Sequence, residues 1–223
     1  MRSFRRSPVE PRSLVSQAGY DFFQALTRSV FRLFFGLRLS DAAALPDGPV
    51  LLAANHRSFI DPLVLGGAVD RRVTYMMHAR FYDKPALNWF FRMARCIVVE
   101  DSGENTATLR AALEVLAAGK VVGIFPEGHI SRDGRLAPLE PGLAFLARRS
   151  DAPVVPVWIS GTREVLPRGA RWPRRARLRV STGRILRMRD FPEGRAGQAA
   201  FLQAVHAELV RLSRGEAQRR EHH

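Results

Sequence analysis

A histidine and an aspartate that follow one apolar run are the residues of this chain best suited to acid–base chemistry. His56 follows residues 50–54, which predict a buried strand, and Asp61 with Pro62 predicts a helix start at which Asp61 is the N-cap. The short loop between them can bring the carboxylate to the imidazole. In such a pair, the carboxylate binds one ring nitrogen of the imidazole, and the other ring nitrogen faces out as a general base. The alternative at this stage is a polar loop histidine beside a capping aspartate.

A second polar turn follows another apolar run about 70 residues later. Residues 121–125 predict a buried strand, and the sequence Pro-Glu-Gly-His at 126–129 comes directly behind it. Sites in open α/β sheets form where strands end. We therefore place the candidate site at the ends of these two strands.

The order of the predicted elements indicates a single α/β domain. Further strands are predicted at 73–77, 96–99, 153–159 and 178–186, and helices at 61–69, 85–94, 104–118, 141–149 and 199–212. This alternation predicts a mostly parallel or mixed sheet flanked by helices. The predicted organisation is a basic arm at 1–12, an N-terminal amphipathic helix segment at 13–40, a catalytic domain at 41–214 and a charged tail at 215–223.

The charge of the chain predicts an acidic partner. Lysine and arginine number 35 against 21 acidic residues, a formal net charge of +14, and nearly all of the positive charge is arginine. Such a surface attracts anionic lipid, nucleic acid or an acidic protein, although genome composition is another source of an arginine bias. The single cysteine, Cys96, excludes an intramolecular disulfide and a cysteine-built metal site.

The N-terminal segment is predicted to lie at a membrane interface. Apolar residues recur at helical spacing at Phe23, Leu26, Val30, Leu33, Phe34 and Leu37, and the polar residues predicted for the opposite side are Asp21, Gln24, Arg28 and Arg32. A broad aromatic face with arginines that reach headgroups is typical of interfacial helices. A helix packed on the core is the alternative. The sequence predicts no signal peptide and no transmembrane helix.

Taken together, the motifs resemble those of the glycerolipid acyltransferase family, which includes the lysophosphatidate acyltransferases. The matching blocks are NHRSFID at 55–61, FPEG at 125–128 and VPV at 155–157, in the order that the family has them. The resemblance covers about residues 48–186. It implies transfer of an acyl group from acyl-CoA or acyl-carrier protein to a glycerolipid hydroxyl, with no cofactor and no metal.

The same resemblance implies roles for individual residues. His56 matches the base and Asp61 the carboxylate that orients it. The predicted substrate-binding set comes from both turns and consists of Asn55, Ser58, Glu127, Gly128, His129, Ser131, Arg132 and Arg135. Ser58 is interpreted as a hydrogen-bonding turn residue and not as a nucleophile. The implied setting is phospholipid biosynthesis at the cytoplasmic face of a membrane, with a peripheral or monotopic protein and with phospholipid surface, acyl donor and lysolipid acceptor as partners.

Four positions depart from the cationic pattern of that family. His78, Asp101, Ile130 and Glu140 stand where the family usually supplies positive charge to a phosphate. Five nearby arginines are able to restore it: Arg80, Arg92, Arg95, Arg132 and Arg135. Otherwise the acceptor is less anionic than a phosphate monoester, for instance a zwitterionic lysophospholipid or an amino-acid lipid.

A basic nucleic-acid-binding protein is the competing class of function. The arginines between positions 168 and 189 support it, but the chain has no helix-turn-helix, zinc-finger or RNA-binding motif. It also leaves the FPEG block and the His–Asp spacing unexplained. We therefore interpret this arginine cluster as a surface for a membrane or a carrier protein, and we expect no nucleic-acid partner.

Overall fold

The structure is a computed structural model. It describes both of the predicted polar turns, at 55–61 and 125–131. It describes residues 17–40, 45–78, 96–99, 106–131, 133–167, 169–170 and 172–221. The basic arm predicted at 1–12 and the helix predicted at 85–94 lie outside these residues. Arg132 and Asp101 lie outside them as well.

Strands and helices alternate along the described chain in the predicted order. The strands are β1 (Arg38–Ser40), β2 (Val50–Ala54), β3 (Val73–His78), β4 (Ile97–Val99), β5 (Val121–Ile124), β6 (Val154–Ser160) and β7 (Arg179–Thr182). The helices are α1 (Gln17–Phe35), α2 (Asp61–Ala68), α3 (Thr106–Ala117), α4 (Gly142–Ser150), α5 (Thr162–Val165) and α6 (Gly194–Glu221). A 3₁₀ turn at Met188–Asp190 precedes α6.

The strands form a sheet with the order β1-β7-β6-β2-β5-β3-β4. Neighbouring strands are parallel, except that β6 and β7 are antiparallel. This confirms the predicted mixed, mostly parallel sheet. Because β2 lies between β5 and β6 and is parallel to both, the carboxyl ends of the three strands meet at one edge of the sheet. The two polar turns begin at that edge.

Both faces of the sheet are covered, which explains why β2 is apolar along its whole length. Successive side chains of a strand point to opposite faces. Val50 and Leu52 belong to the core beneath α1 and α2, whereas Leu51 and Ala53 belong to the core beneath α3, α4 and α6. A strand buried in this way is a rigid base for the turn that follows it.

The two ends of the described chain differ from the prediction. Helix α1 ends at Phe35, before Gly36 at φ +55°, and residues 38–40 form edge strand β1 instead of continuing the N-terminal helix. The terminal helix, predicted at 199–212, extends over Gly194–Glu221. The prediction of a separate charged tail from residue 215 is therefore wrong as far as Glu221. Glu216 is buried and accepts a hydrogen bond from the Ser181 hydroxyl, 3.1 Å away.

Helix α1 docks on α2 through polar side chains. The Gln24 amide donates to the carbonyl oxygens of Gly66 and Val69, at 2.8 and 2.9 Å. The Arg28 guanidinium donates to those of Gly67 and Val69, both at 2.7 Å. The last carbonyls of a helix lack partners of their own, so these bonds satisfy the end of α2. Gln24 and Arg28 therefore lie opposite the apolar side of α1, as the sequence predicts, but Arg28 binds α2 and is not one of the arginines that could reach lipid headgroups.

The outward side of α1 is apolar instead. Its exposed large side chains are Phe22, Leu26, Val30, Leu33 and Phe34. Tyr20 and Phe31, on the inward side, are buried in the core. Among the described residues, no helix has the length and apolarity needed to cross a bilayer.

Candidate active site

His56 and Asp61 form a hydrogen-bonded pair just beyond the end of β2. The His56 Nδ1 atom lies 2.9 Å from the Asp61 Oδ2 atom. The aspartate is fully buried, whereas the imidazole keeps 17% of its surface exposed. An ionised carboxylate can only accept a hydrogen bond, so this contact places the proton of a neutral imidazole on Nδ1. The other ring nitrogen, Nε2, is then left as a proton acceptor.

Two backbone donors hold the same aspartate oxygen. The N–H groups of Arg57 and Ser58 donate to Asp61 Oδ2 at 2.6 and 2.7 Å. The prediction of Asp61 as a helix cap is wrong, because Ile60 precedes α2 and Asp61 is its first residue. The carboxylate turns back to the loop and is bonded there by the two N–H groups instead of capping the helix. These bonds keep the carboxylate from rotating away from His56.

An aromatic stack supports the face of the imidazole. The ring of His56 lies on that of Phe125, with centroids 4.2 Å apart and planes 22° apart. Tyr75 stacks behind Phe125 at 6.3 Å, and its hydroxyl donates to the Pro62 carbonyl oxygen at 2.9 Å. Gly123 makes room for this ring, since a Cβ there would lie 2.8 Å from Tyr75. Sequence reasoning missed Tyr75; the signal was a tyrosine on the strand whose partner residue is glycine.

Glu127 joins the two polar turns through backbone groups. Its Oε1 atom accepts the His56 N–H at 2.8 Å, and its Oε2 atom accepts the Ala137 N–H at 3.0 Å. The side chain is only 2% exposed. Burial raises the pKa of this carboxyl above its ordinary value, and the two backbone N–H groups partly oppose the rise. This geometry favours a positioning role over the substrate contact predicted from the sequence.

Asn55 and Ser58 also hold the backbone in place. The Asn55 side chain accepts the Ile159 N–H at 2.6 Å and donates to the Ile159 carbonyl oxygen at 3.0 Å, which extends the pairing of β2 with β6. The Ser58 hydroxyl donates to the Leu166 carbonyl oxygen at 3.2 Å. Both residues are buried, Asn55 to 1% and Ser58 to 3% exposure. The interpretation of Ser58 as a hydrogen-bonding residue of the turn agrees with this contact.

Part of the predicted substrate-binding set is accessible. Gly128 and His129 are exposed at the tip of the second turn, where Gly128 adopts φ +71° and its N–H donates to the Phe125 carbonyl oxygen at 3.0 Å. Arg135 is exposed as well, and its N–H donates to the Asp133 carboxylate at 2.9 Å. These three residues are therefore accessible from solvent.

Ser131 connects this loop to the turn that carries His56 and Asp61, called the catalytic turn below for its proposed role. Its N–H donates to the His56 carbonyl oxygen at 2.8 Å, so the second turn grips both backbone groups of His56. The Ser131 hydroxyl accepts the Gly134 N–H and donates to the Arg135 carbonyl oxygen, both at 2.9 Å. Because its side chain is bonded within the loop, Ser131 has a structural role: it fixes the loop conformation beside His56.

The departures from the cationic pattern fall partly within the described chain. Ile130 is half-buried and Glu140 is exposed. The Glu140 N–H donates to the Pro126 carbonyl oxygen at 2.7 Å, which holds Glu140 against the second turn. A Cβ built on Gly128 would lie 3.8 Å from the Glu140 Oε1 atom, so a carboxylate stands beside the exposed tip.

Metal and thiol chemistry find no support in the described part of the chain. It contains no group of three or more His, Cys, Asp or Glu side chains arranged to hold a metal ion. Cys96 is buried, and burial raises the pKa of its thiol to about 12. A thiol in that state is a poor nucleophile.

Comparison with known proteins gives the class to which this fold and site belong. A family model described as Acyltransferase matches residues 36–160, a range that includes β2, β5 and both polar turns. The match covers more than half of the chain, and the chain therefore belongs to this acyltransferase family.

Individual relatives agree with that class. The 1-acyl-sn-glycerol-3-phosphate acyltransferase of Bacillus subtilis is 22% identical over 197 residues, which cover 86% of this chain and 96% of that protein. The chloroplastic enzyme BAT2 of Brassica napus, of the same name, is 29% identical over 126 residues or 56% of this chain. The chain spans only 36% of the length of that plant protein.

A solved structure shares the fold. The crystal structure of the 1-acyl-sn-glycerophosphate acyltransferase PlsC from Thermotoga maritima superposes with a TM-score of 0.68 at 22% sequence identity. The superposition covers 86% of this chain and 79% of that one. The described sheet and its flanking helices are thus an architecture known from experiment.

Proposed function

We propose that this protein is an O-acyltransferase that moves a fatty acyl group from a thioester to a hydroxyl of a lysophospholipid in phospholipid biosynthesis. The observation that carries the proposal is the 2.9 Å contact between His56 Nδ1 and Asp61 Oδ2 at the carboxyl end of a central strand. The thioester is acyl-CoA or acyl-carrier protein, and no further cofactor enters the reaction.

In this mechanism His56 is a general base. Its Nε2 atom accepts the proton of the acceptor hydroxyl while the hydroxyl oxygen attacks the thioester carbonyl carbon. The tetrahedral intermediate then breaks its C–S bond, and the leaving thiolate takes the proton from the imidazolium. The products are the acylated lipid and the free thiol of the carrier.

Asp61 stabilises the imidazolium that forms between these two proton transfers. Its carboxylate is fully buried, so water does not compete for the contact with His56. A hydrogen bond between two charged groups in such surroundings is stronger than a neutral one. The stack on Phe125 keeps the ring in the plane that serves both transfers.

Lysophosphatidate, or a lipid like it, is the first candidate for the acceptor. The names of the Bacillus subtilis and Brassica napus relatives support it. A zwitterionic or amino-acid lysolipid is the second candidate, because the Glu140 carboxylate beside Gly128 would repel a phosphate monoester and attract a cationic headgroup.

We also propose that the protein binds peripherally at the cytoplasmic face of a membrane through α1. The exposed apolar side chains of α1 form a patch on an otherwise docked helix, with Leu33 at 81% and Phe22 at 70% exposure. Gln24 and Arg28 fasten that helix to α2, whose first residue is Asp61. A membrane bound at α1 would therefore be held at a set distance from the catalytic pair.

The basic segment before β7 supports the same surface. Trp172, Arg174, Arg175 and Arg177 are exposed. The Leu178 N–H that follows them donates to the Phe35 carbonyl oxygen at 3.0 Å, so the segment enters the sheet beside the end of α1. Arginines next to an apolar patch match the charge of anionic lipid.

A donor and acceptor panel tests the proposed reaction. Labelled acyl-CoA and acyl-carrier protein are each offered with lysophosphatidate, lysophosphatidylcholine and monoacylglycerol. Wild type should acylate at least one lysolipid, and His56→Ala should lose at least the ~10²–10⁴-fold typical of a general base. His206→Ala, which removes a histidine of α6, serves as the matched control and should keep wild-type rates. Activity within a few fold of wild type in His56→Ala would end this mechanism.

A further inference from the structure

Two guanidinium groups meet beside the catalytic turn. A Cβ built on Gly134 would lie 2.6 Å from the Arg163 Nη1 atom and 2.7 Å from the Arg57 Nη2 atom. The two nitrogens are therefore no further apart than the sum of these distances. Gly134 is at φ +80°, and its missing side chain is what leaves room for both arginines. Like charges at this separation repel one another.

No acidic side chain of the described chain compensates them. No carboxylate oxygen there lies within 4.0 Å of either guanidinium. The Nε atom of Arg57 is buried and has no hydrogen-bond partner among these residues. The nearby Asp133 uses its Oδ1 atom to accept the Arg135 N–H at 2.9 Å. The arginine pair thus keeps several donors available on one side of the site.

Both arginines are attached to the framework of the catalytic pair. Arg57 follows His56, and its N–H donates to Asp61 at 2.6 Å. Arg163 lies on α5, directly after β6, which is the neighbour of β2. The hydrogen bond from Ser58 to Leu166 ties α5 to the catalytic turn. The pair therefore lies at the same edge of the sheet as His56.

We propose that Arg57 and Arg163 form a subsite for the phosphate group of a substrate. Two guanidiniums are the donors best matched to the oxygens of a phosphate, and a bound oxyanion would relieve their repulsion. The inference rests on the proposed function. It also assigns the cationic role to residues other than the five arginines that the sequence suggested, among them Arg132 and Arg135. The phosphate belongs either to the acceptor headgroup or to the carrier of the acyl donor.

The test is the variant Arg57→Gln/Arg163→Gln, assayed with each substrate varied in turn. Its matched control is Arg149→Gln/Arg195→Gln, which removes the same charge from exposed positions on α4 and α6. The subsite predicts a KM for the phosphate-bearing substrate that is raised about tenfold or more, since each lost bond to a charged group weakens binding by about that factor. The control should match wild type. The variants Arg57→Lys and Arg163→Lys keep the positive charge but lose the planar guanidinium that can donate two parallel hydrogen bonds. Their KM for the same substrate should lie between that of wild type and that of Arg57→Gln/Arg163→Gln.

The arms of the assay separate the two sources of phosphate. If Arg57→Gln/Arg163→Gln raises the KM of lysophosphatidate but not that of monoacylglycerol, the acceptor phosphate binds in the subsite. If the same variant raises the KM of acyl-CoA with both acceptors, the donor phosphate binds in the subsite. Values within twofold of wild type for every substrate overturn the subsite.

A binding measurement keeps the inference independent of turnover. Inorganic phosphate, compared with chloride at equal ionic strength, should raise the melting temperature of wild type and of the control variant more than that of Arg57→Gln/Arg163→Gln. Equal shifts in all three proteins overturn the subsite even if the enzyme is active. If no protein shows His56-dependent acyl transfer, the proposed reaction fails, and this comparison alone decides on the phosphate subsite.

Discussion

The turns after β2 and β5 lie side by side and use their charged residues in opposite ways. In the first, Asp61 and His56 bind each other, and the imidazole keeps an exposed edge. In the second, Glu127 points inward, and both of its oxygens are occupied by backbone N–H groups, one of them that of His56. In the proposed mechanism the first turn carries the reactive groups, and the second turn holds the backbone of His56 in position.

This difference shows that a charged residue in a motif can act on geometry and not on substrate. Asp61 and Glu127 are both buried carboxylates at strand ends. Only Asp61 touches a side chain that is able to exchange a proton. Replacing Asp61 should therefore mainly lower kcat. Replacing Glu127 should mainly lower the free energy of unfolding, with a smaller loss in kcat.

Asp61→Asn should give the largest loss in this comparison. The amide oxygen can still accept from the N–H groups of Arg57 and Ser58, but without the negative charge it stabilises the imidazolium poorly. We expect kcat to fall ~10²–10⁴-fold while the melting temperature changes little. Asp151→Asn, at an exposed position with φ +51° that asparagine tolerates, is the control and should keep full activity. A loss of stability as large as the loss of activity would assign Asp61 to the scaffold as well.

Glu127→Ala should instead lower stability clearly and kcat less than Asp61→Asn does. It leaves the N–H groups of His56 and Ala137 without their acceptor, and an unpaired buried donor costs about 1–3 kcal/mol of unfolding free energy. The backbone of His56 then shifts, and we expect kcat to fall by no more than ~10²-fold, the loss that a small misplacement of a reacting group can cause. Chemical denaturation and steady-state rates measure the two effects. A loss of 10³-fold or more at unchanged stability would give Glu127 a part in the chemistry.

Glu127 should also leave a signature in the pH dependence of stability. Burial raises its folded pKa above the ordinary value, so between the two values the folded state holds a proton that the unfolded state has released. Stability attributable to Glu127 is therefore greatest at low pH and declines as pH rises through the folded pKa. Melting of wild type and Glu127→Gln from acid to neutral pH isolates this effect, which is the smallest of the three. We expect the stability of wild type relative to the variant to decrease with pH; an increase would mean that the backbone N–H groups outweigh burial.

Sequence reasoning reached the sheet, the two turns and the contact between His56 and Asp61 because each has a local signal. Apolar runs marked the central strands, and polar residues directly behind β2 and β5 marked the site. The direction of a buried side chain has no such signal. The sequence assigned Glu127 to substrate and Asp61 to a helix cap because it does not show which N–H groups the folded turns bring near each carboxylate.

Helix α1 illustrates the same limit at the level of a whole helix. Helical periodicity separated its polar and apolar residues, but it did not show which groups each side contacts. Gln24 and Arg28 face inward because the unpaired carbonyls at the end of α2 lie there, and this depends on how two helices cross. Phe22 and Leu33 are left outside.

The central claim, that His56 and Asp61 act as one unit, is tested most directly by a double-mutant cycle. The rates of acyl transfer are measured for wild type, His56→Ala, Asp61→Asn and the double variant on the best acceptor of the panel. If Asp61 works through His56, the double variant should be slower than His56→Ala by no more than a few fold, because the base on which Asp61 acts is already gone. Losses that multiply, so that the double variant falls by the product of the single effects, would contradict the account.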